Sequence, residues 1–346
     1  MTQNMITAWD IGGAHLKVAQ CTQQGELRQV FELPCPLWRG IEQLEKAIDT
    51  AIQNLKLSAH VNAITMTGEL VDIFPDRQAG VAAIIECVET RLNKHHCHIY
   101  AGAHGWLTPK EAIADWQHVA SLNWHASAAY TATHVKQGLF IDIGSTTSDI
   151  IAIDAHLVQA KAYIDYQRQA NSELHYTGVI RTPLISIAHS VPFDNKTIRI
   201  AAEVFATSGD CWSITGQLNP DHIQDHSSDG QPWQKQDCIR RLARLLGTDG
   251  YNFPEQDWLA LANWFTQQQS QQLQQACQNV LSHHNPMSPQ APIIGAGIGR
   301  FMARGFAEQL GSPYIEFGEL TSPHSSQATD HAPVAAIALL ACQQLS

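Results

Sequence analysis

The chain has 346 residues, 44% hydrophobic and 15% charged, and this length predicts two domains of ordinary size with well-developed cores. The 21 Lys and Arg against 32 Asp and Glu give a formal net charge of −11, which argues against a nucleic-acid partner because such proteins normally present a basic face. No apolar run approaches the roughly 18 residues of a membrane helix, and the first residues lack the basic and apolar segments of a secretory signal. We therefore expect a cytoplasmic protein with no membrane partner.

The first part of the chain predicts three strands, a helix, a further strand, a second helix, another strand and a helical stretch in two pieces. Alternating or continuous apolar residues indicate the strands, and the spacing of Ile41, Leu44, Ile48 and Leu55 is typical of an amphipathic helix. In chain order the segments are MITAWD, AHLKVAQC, ELRQVFELP, GIEQLEKAIDTAIQNL, NAITMTGEL, GVAAIIECVETRLN, CHIYA and DWQHVASLNWHASAAYTATHV.

The pattern then restarts. Three strands are predicted at GLFIDIG, TTSDIIAID and HLVQAKAYI, and helices at IRIAAEVFATSG, KQDCIRRLARLLG and across the glutamine-rich stretch that ends in VLSHH. The final segments are a strand and glycine turn at APIIGAGIG, a helix at RFMARGFAEQLG, a strand at PYIEF and a helix at APVAAIALLACQQ. We place a first domain at residues 1–137 and a second, with inserted helices, at 138–346, and the last helix is a candidate to pack on the first domain.

The eight cysteines are scattered, with no CxxC pair, which predicts free and mostly buried thiols in a reducing compartment. The run HHCH at 95–98 has metal-ligating residue types. It falls at the predicted entry to a strand, where adjacent side chains point to opposite faces, so we favour an exposed polar strand entry over a metal site.

Two short segments repeat. WDIGGAHLKVA and IDIGSTTSDII share Asp-Ile-Gly, and Asp10 and Asp142 are 132 residues apart, about one domain. Each segment is a strand, a tight glycine turn and a returning strand, followed by a third strand and helices. The match of three residues is weak alone, and the matching order of elements strengthens it.

The turn residues suit phosphate binding. Gly12, Gly13, Gly144 and the hydroxyl run Ser145, Thr146, Thr147 can present backbone N–H groups and hydroxyls to an anion. A carboxylate at each strand end, Asp10 or Asp142, can hold Mg²⁺ directly or through water. One copy is equally well explained as an ordinary hairpin with glycine at positive φ and Asp as a turn residue. Two copies facing across a cleft, with a third glycine turn, favour phosphate binding.

The third turn, IIGAGIGRF, carries Gly295, Gly297 and Gly299 between a strand and a helix. Its spacing is GxGxG rather than the GxGxxG of dinucleotide-binding folds, and it lies near the C-terminus, so a nicotinamide site is a poor interpretation. We favour the interpretation that this turn lets a phosphate approach the backbone and a helix N-terminus.

Two DxG hairpins and a late GAGxG turn resemble the actin/Hsp70/sugar-kinase superfamily, in which two ribonuclease-H-like α/β domains close on a nucleotide and Mg²⁺. DIGSTTSDI is similar to the hydantoinase/oxoprolinase branch. More narrowly, the chain resembles a family of tetrahydromethanopterin-linked C1-transfer pathway proteins, whose archaeal relatives include the condensing enzyme of methanofuran biosynthesis. The segments that carry this resemblance are WDIGGAHLK, TMTGELVDIFPDRQAGV, NWHASA, ELHYTGVIRTPL, EVFATSGD and GAGIGRFMA.

The resemblance implies a transferase that joins an aminomethylfuran-methanol diphosphate to a tyramine- or tyrosine-type phenol, forming an aryl ether and releasing pyrophosphate. Mg²⁺ and fixed donors would stabilise the departing pyrophosphate, and a general base would take the phenol proton. The main alternative is an ATP-dependent small-molecule kinase or a hydantoinase/oxoprolinase-like ATPase. A third is an actin-like regulatory module without turnover.

Under this resemblance Asp10 and Asp142 are the expected magnesium ligands, and the turn residues above, with Gly295, Gly297 and Gly299, the expected phosphate contacts. Each further candidate has a structural alternative. Lys17 is a phosphate-site cation or an exposed strand lysine. Asp149 occupies the position of Lys17 in the second repeat and is a base or a ligand of metal-bound water. Glu69 is a catalytic carboxylate or a turn residue.

Arg181 binds a phosphate or substrate carboxylate, or forms an internal ion pair. Asn123 and Trp124 line the substrate pocket or, for the Trp, belong to the core. Glu203 is a further pocket candidate, and Asp210 is a cap or a ligand.

Overall fold

The computed structural model describes residues 5–55, 59–92, 96–224 and 226–345. His95 of the HHCH run therefore lies outside the described residues, while Cys97 is buried and His98 half-buried in a strand. The strands are β1 (Met5–Ile11), β2 (His15–Thr22), β3 (Leu27–Pro34), β4 (Ala59–Met66), β5 (Cys97–Tyr100), β6 (Trp106–Leu107), β7 (Gly138–Ile143), β8 (Ser148–Asp154), β9 (Leu157–Val158), β10 (Leu174–His175), β11 (Ser190–Phe193), β12 (Lys196–Arg199), β13 (Ile293–Ala296) and β14 (Tyr314–Glu316).

The helices alternate with these strands. They are α1 (Glu42–Asn54), α2 (Arg77–Arg91), α3 (Pro109–Ala114), α4 (Asn123–His134), α5 (Asp165–Ala170), α6 (Leu184–Ile187), α7 (Ser208–Ile214), α8 (Lys235–Leu245), α9 (Glu255–Ser282), α10 (Arg300–Leu310), α11 (Ser326–Asp330) and α12 (Ala332–Leu345).

The first sheet has the strand order β3-β2-β1-β4-β5-β6. β1 is antiparallel to β2 and parallel to β4, so the carboxyl ends of β1 and β4 lie at the same edge. Trp9 and Ile11 of β1 belong to the core that α1 and α2 cover. Because side chains alternate along a strand, Asp10 points to the other face, where α4 and α12 pack.

The second sheet has the order β10-β8-β7-β13-β14, with β9 also paired to β8. β7 is parallel to β13. Ile141 and Ile143 belong to a core shared with α9 and α10, so Asp142 points to the opposite face, as Asp10 does in the first sheet. A separate helical core under the β11–β12 hairpin is built from α6, α7, α8 and the first half of α9.

The chain divides into two compact units. Unit 1 comprises 1–138, 153–165 and 315–346, and unit 2 comprises 139–152 and 166–314. The boundary expected near 137/138 falls at the end of the first segment of unit 1. The last helix, α12, packs on β1, β2 and α4 and so belongs to unit 1 with the segment before it.

Two predicted elements are wrong. The segment 156–164 is not a third strand, because only Leu157–Val158 pair with β8 and the edge beside β8 is taken by β10 instead. The segment 198–209 is not a helix. Its first residues pair in the β11–β12 hairpin, whose turn places Asp194 and Asn195 at positive φ, and a helix starts only at Ser208.

All eight cysteines are free, and seven are buried, in agreement with the expectation of unpaired thiols. Across the described ranges no group of three or more His, Cys, Asp or Glu side chains is placed to hold a metal. No helix of this part of the chain is both long and apolar enough to span a bilayer.

Candidate functional site

The turns of the two repeats have the same backbone hydrogen bond. In the first, the N–H of Gly12 donates to the carbonyl of His15 at 3.0 Å; in the second, Gly144 donates to Thr147 at 2.9 Å. Both bonds span three residues, and the two donors are again 132 positions apart. The sequence repeat is therefore also a structural repeat.

The carbonyl groups of both turns are hydrogen-bonded to a following segment, which comes after β3 in the first sheet and after β10 in the second. Leu37 donates to Gly13 at 3.0 Å, and Cys35 donates to Ala14 at 2.8 Å. In the second turn the acceptors are Gly144 and Ser145, bonded by the N–H groups of Val179, Ile180 and Arg181 at 2.9–3.1 Å. These bonds fix the turns from the carbonyl side.

In contrast to these carbonyl groups, several backbone N–H groups of each turn form no hydrogen bond in the part of the chain that the structure describes. Within the described residues, the backbone N–H groups of Gly13, Ala14, Ser145 and Thr146 donate to no protein acceptor. Successive N–H groups at a turn can bind an anion. Each turn therefore offers two such donors to a phosphate group.

In each repeat, the loop after the neighbouring parallel strand (β4 or β13) donates a hydrogen bond to the last residue of the repeat's first strand (β1 or β7). Thr67, after β4, donates to Ile11 at 2.9 Å, and Gly299, after β13, donates to Ile143 at 2.9 Å. The glycine turn at 295–299 is therefore the structural counterpart of residues near Thr67 in unit 1.

The three glycines of that turn have different environments. Gly297 has φ +77° and lies so close to Asp142 Oδ1 that a Cβ there would be 2.5 Å away. A Cβ on Gly295 would collide with the Tyr314 hydroxyl, and one on Gly299 with Ile143 and Val179. Gly297 is thus the glycine beside the candidate carboxylate, while the other two allow close packing of strand, ring and helix.

Asp10 is 2% exposed and is surrounded by polar groups of unit 1. The Asn123 amide lies 3.4 Å from both carboxylate oxygens. Lys17 is directly opposite Asp10 across β1 and β2, and Thr65 is opposite on β4, with a buried hydroxyl that has no hydrogen-bond partner in the described residues. Burial raises the pKa of the Asp10 carboxyl, while Lys17 and Asn123 act to lower it. Lys17 is half-buried rather than an exposed strand lysine, and it also faces Glu32 on β3.

Asp142 is 9% exposed near the end of β7, and the half-buried Ser145 and Thr146 follow it in the chain. Carboxylate and hydroxyl oxygens are among the donors that Mg²⁺ prefers. In unit 1 such oxygens come from Asp10 and Thr65, because Asn123 presents its NH₂ group to Asp10. In unit 2 they come from Asp142 and the hydroxyls of the turn that follows it.

Asp149 has a fixed partner. Arg168 Nη2 donates to Asp149 Oδ1 at 2.8 Å and to the Glu173 carbonyl at 3.1 Å. The Arg168 side chain is 1% exposed and that of Asp149 17%. A charge-assisted hydrogen bond to a buried guanidinium fixes the carboxylate in place, so the contact favours a positioning role for Asp149.

The second phosphate turn is supported by Gly178. A Cβ at this position would lie 2.5 Å from both Ser145 O and Thr146 N, so only glycine fits. The Gly178 carbonyl accepts from Gln269 Nε2 at 2.8 Å and from Ser208 Oγ at 2.7 Å. Gln269 is fully buried and is held in turn by Trp212, whose indole donates to it at 2.8 Å.

Glu69 lies in a 3-10 turn after β4 and is 1% exposed. Ser121 Oγ donates to Glu69 Oε1 at 2.6 Å, and Arg77 Nη2 lies 3.5 Å from the same oxygen. Burial is the largest cause raising the pKa of Glu69; the Ser121 bond and Arg77 oppose it, and Asp165 adds to it. The side chain is therefore more than a turn residue.

The remaining candidates are more dispersed. Arg181 is exposed, and no ion pair joins it to another described residue, although its N–H binds the phosphate turn at Ser145. Glu203 is exposed in an irregular segment of unit 2. Trp124 is 1% exposed and packs against His125. Asp210 accepts from the Thr207 N–H as part of a capping box and pairs with buried Arg241, so it is a cap.

Sequence reasoning did not single out Arg77, Ser121, Arg168, Gly178 or Gln269. Arg77 and Gly178 lie inside the quoted segments TMTGELVDIFPDRQAGV and ELHYTGVIRTPL. The positive φ of Ser121 and the burial of Arg168 and Gln269 leave no mark in the local pattern of residue types.

Comparisons with known proteins give a family and a fold. A sequence model of the hydantoinase/oxoprolinase family matches residues 60–326. A protein from Methanocaldococcus jannaschii, (4-{4-[2-(gamma-L-glutamylamino)ethyl]phenoxymethyl}furan-2-yl)methanamine synthase, is 30% identical over 262 residues, which cover 75% of this chain and 76% of that protein.

Among solved structures, nucleotide-free acetone carboxylase matches with a TM-score of 0.56 and 11% identity, over 98% of this chain and 70% of that chain. A ROK family glucokinase from Streptomyces griseus, solved with glucose and AMPPNP, matches with a TM-score of 0.51 and 13% identity, over 98% and 100%. At these identities the likeness concerns the fold alone. The α/β fold is that of the actin/Hsp70/sugar-kinase superfamily, as the sequence resemblance implied.

Proposed function

The chain belongs to the hydantoinase/oxoprolinase family, and on that premise we propose that it is a synthase that joins an aminomethylfuran-methanol diphosphate to a phenol. The product is an aryl ether, and pyrophosphate is released. The phenol is of the tyramine or tyrosine type, and the product serves tetrahydromethanopterin-linked C1 metabolism.

The observation that carries the proposal is the similarity to the synthase from Methanocaldococcus jannaschii over three quarters of both chains. The product named for that relative contains a phenoxymethyl group on a furan, which is the ether bond the proposed reaction forms. The N–H groups of the turns at 12–14 and 144–147 that donate to no acceptor in the described residues support a substrate that carries phosphate groups.

The proposed roles follow from the charges and donors of each turn. The N–H groups of Gly13 and Ala14 in unit 1, and of Ser145 and Thr146 in unit 2, bind phosphate oxygens and need no reorganisation when negative charge develops on the leaving group. Lys17 adds a positive charge beside the first turn, and Arg181 adds one beside the second.

Asp10 and Asp142 are the proposed ligands of Mg²⁺. When bound, the ion would supply positive charge to a departing pyrophosphate. The furan ring eases loss of that group because it stabilises a positive charge on the attached CH₂.

The proposal is tested with the purified protein, Mg²⁺, the furan diphosphate and either tyramine or tyrosine. Mass spectrometry follows the ether and a coupled assay follows pyrophosphate, and the two should form in equal amounts. Absence of ether with either phenol would contradict the proposal.

The metal and phosphate roles have a separate test. Asp142→Asn should weaken calorimetric binding of magnesium pyrophosphate and lower kcat by about 100-fold or more, the loss expected when a charge-stabilising group is removed. Asp257→Asn, at an exposed position on α9, is the matched control. Unchanged pyrophosphate binding in Asp142→Asn would contradict the proposed role of Asp142 in the site.

A further inference from the structure

A buried carboxylate and an exposed tyrosine both contact the segment around the start of α4 in unit 1. Ser121, two residues before α4, donates to Glu69 Oε1 at 2.6 Å and has φ +54°, a conformation that non-glycine residues rarely adopt. Asn123, the first residue of α4, contacts Asp10. One short segment therefore links the candidate phosphate site to Glu69.

Glu69 has an unsatisfied acceptor. Its second oxygen, Oε2, is buried and accepts no hydrogen bond from any described residue. A buried acceptor without a hydrogen bond destabilises the folded protein, so each one calls for an explanation, of which a catalytic role is one. The charged groups that interact with Glu69 are Arg77, at 3.5 Å, and Asp165.

An exposed aromatic ring packs against the residues that follow Ser121 in the same segment. Tyr163, two residues before Asp165, is 44% exposed, and its ring centroid lies 5.9 Å from Trp124 and 5.8 Å from His125. Those two rings are buried behind it, and Tyr100 fixes the imidazole through a 2.9 Å hydrogen bond to Nδ1. An exposed ring backed by fixed rings suits stacking of a planar aromatic ligand.

We propose that this part of unit 1 is the acceptor subsite, in which Tyr163, backed by Trp124 and His125, holds the phenol ring and Glu69 accepts the phenol proton. The inference rests on the proposed function and adds to it the residue that acts as the base and the position of the phenol. It selects Glu69 over Asp149 because the second oxygen of Glu69 is buried without a hydrogen bond from any described residue, whereas no such buried, unbonded oxygen is found on Asp149.

The step is balanced. The phenol O–H bond breaks and its proton moves to a Glu69 oxygen, while the electron pair stays on the phenol oxygen. That oxygen forms a bond to the furan CH₂ group, and the C–O bond to the diphosphate breaks with its electron pair leaving on pyrophosphate. A carboxylate destabilised by burial holds a proton more tightly than one in water, which makes Glu69 a stronger base.

The first experiment compares two acceptors in wild type and Glu69→Gln: a tyramine-type phenol, and a ring-fluorinated analogue whose phenol is already ionised at the assay pH. With the ordinary phenol, Glu69→Gln should lose about 100-fold or more in kcat, as expected for loss of a general base. With the ionised phenol the loss should be much smaller, because no proton has to be removed.

Glu308→Gln, exposed on α10, is the control and should match wild type with both acceptors. An equal loss for Glu69→Gln with both phenols, or no loss with either, would overturn the inference. If Glu69→Gln does not fold, Glu69→Asp replaces it; this variant retracts the carboxylate by one methylene, and the same dependence on the acceptor is expected.

The second experiment measures KM. Tyr163→Ala should raise KM for the phenol about 5-fold, the order expected for one aromatic contact, and leave KM for the furan diphosphate unchanged. Tyr251→Ala is the control: it removes a tyrosine that is 86% exposed in unit 2 and should change neither the KM for the phenol nor the KM for the furan diphosphate. A rise confined to the diphosphate would overturn the assignment of this subsite. If the wild-type protein forms no ether from either phenol, the proposed function itself fails. If the wild-type protein is active and the variants match it, the proposed function stands and only the acceptor subsite is wrong.

Discussion

Lys17 and Asp149 occupy the same position in the two repeats but have opposite charges and different partners. Lys17 faces Asp10 across β1 and β2, so it partly compensates a buried carboxylate. Asp149 instead pairs with Arg168, which comes from α5 in unit 2. The two repeats therefore share their backbone geometry and differ in the charges beside the turn.

Asp149→Asn should destabilise the protein by about 3 kcal/mol, because the nearly fully buried Arg168 loses its charged partner. Thermal unfolding followed by circular dichroism measures this. Asp194→Asn is the control: it breaks an exposed pair with Lys196, and such pairs contribute under about 1 kcal/mol. An unchanged Tm together with a large loss of kcat would instead make Asp149 a proton acceptor.

Several residue roles were accessible from sequence, and others were not. The repeated Asp-Ile-Gly predicts both hairpins, because a strand followed by glycine leaves few alternatives for the turn. The Arg168–Asp149 and Ser121–Glu69 contacts join residues 19 and 52 positions apart. Nothing in the local pattern of apolar and polar residues specifies which distant side chains meet.

At the scale of elements, each phosphate turn depends on the segment packed beneath it. In unit 2 this segment is 178–181, and its position is set by Gln269, from the middle of α9. The glutamine-rich part of α9 was predicted as a helix, and glutamine side chains are mostly exposed in folded proteins. Gln269 is nevertheless fully buried, because its amide satisfies the carbonyl of Gly178.

Gly178→Ala should destabilise the protein by about 2 kcal/mol and weaken pyrophosphate binding, because the new Cβ would displace the Ser145–Thr146 peptide. Calorimetric titration with magnesium pyrophosphate and thermal unfolding give the two readouts. Gly305→Ala is the matched control. A Cβ there meets nothing within 4 Å, and alanine in a helix interior should add about 0.5–1 kcal/mol. Equal effects of the two substitutions would exclude a role for Gly178 in supporting the turn.

The two wrong elements have a common cause. Segments 156–164 and 198–209 have alternating or helical apolar spacing, and in both the tertiary context overrides the local preference. Ala155 and His156 adopt positive φ and turn the chain after β8, so the strand ends after two paired residues. Asp194 and Asn195 form a hairpin turn that commits the following residues to β12.

At the scale of the whole chain, unit 1 is assembled from three separate segments. α12 is apolar almost throughout, with its residues 332–341 buried, and it packs on β1, β2 and α4. The Cys21 thiol also donates to the Ala338 carbonyl at 3.3 Å. An apolar final helix could be predicted from sequence, but the return of 153–165 to unit 1 could not, because no composition change marks it.

A chain ending at His331 should lose cooperative unfolding or aggregate, because β1 and β2 would expose the apolar surface that α12 covers. A chain ending at Gln343 keeps all ten buried residues of α12 and should unfold within about 1 kcal/mol of the full chain. Of the residues that it removes, Gln344 is exposed, with an exposed hydrogen bond from Trp106, and Leu345 is half-buried. Denaturant unfolding followed by fluorescence compares the two. Full stability of the shorter chain would contradict the role given to α12.

The central claim is the proposal that the turns at 12–14 and 144–147 bind the phosphates of a diphosphate ester and not those of ATP. The most direct measurement places the purified protein with Mg²⁺, the furan diphosphate, ATP and a tyramine-type phenol in one reaction and follows all phosphorus species by ³¹P NMR. The account predicts that the furan diphosphate signal is replaced by pyrophosphate as ether forms, while ATP stays intact. Conversion of ATP to ADP without ether would contradict it and favour an ATP-dependent kinase or ATPase.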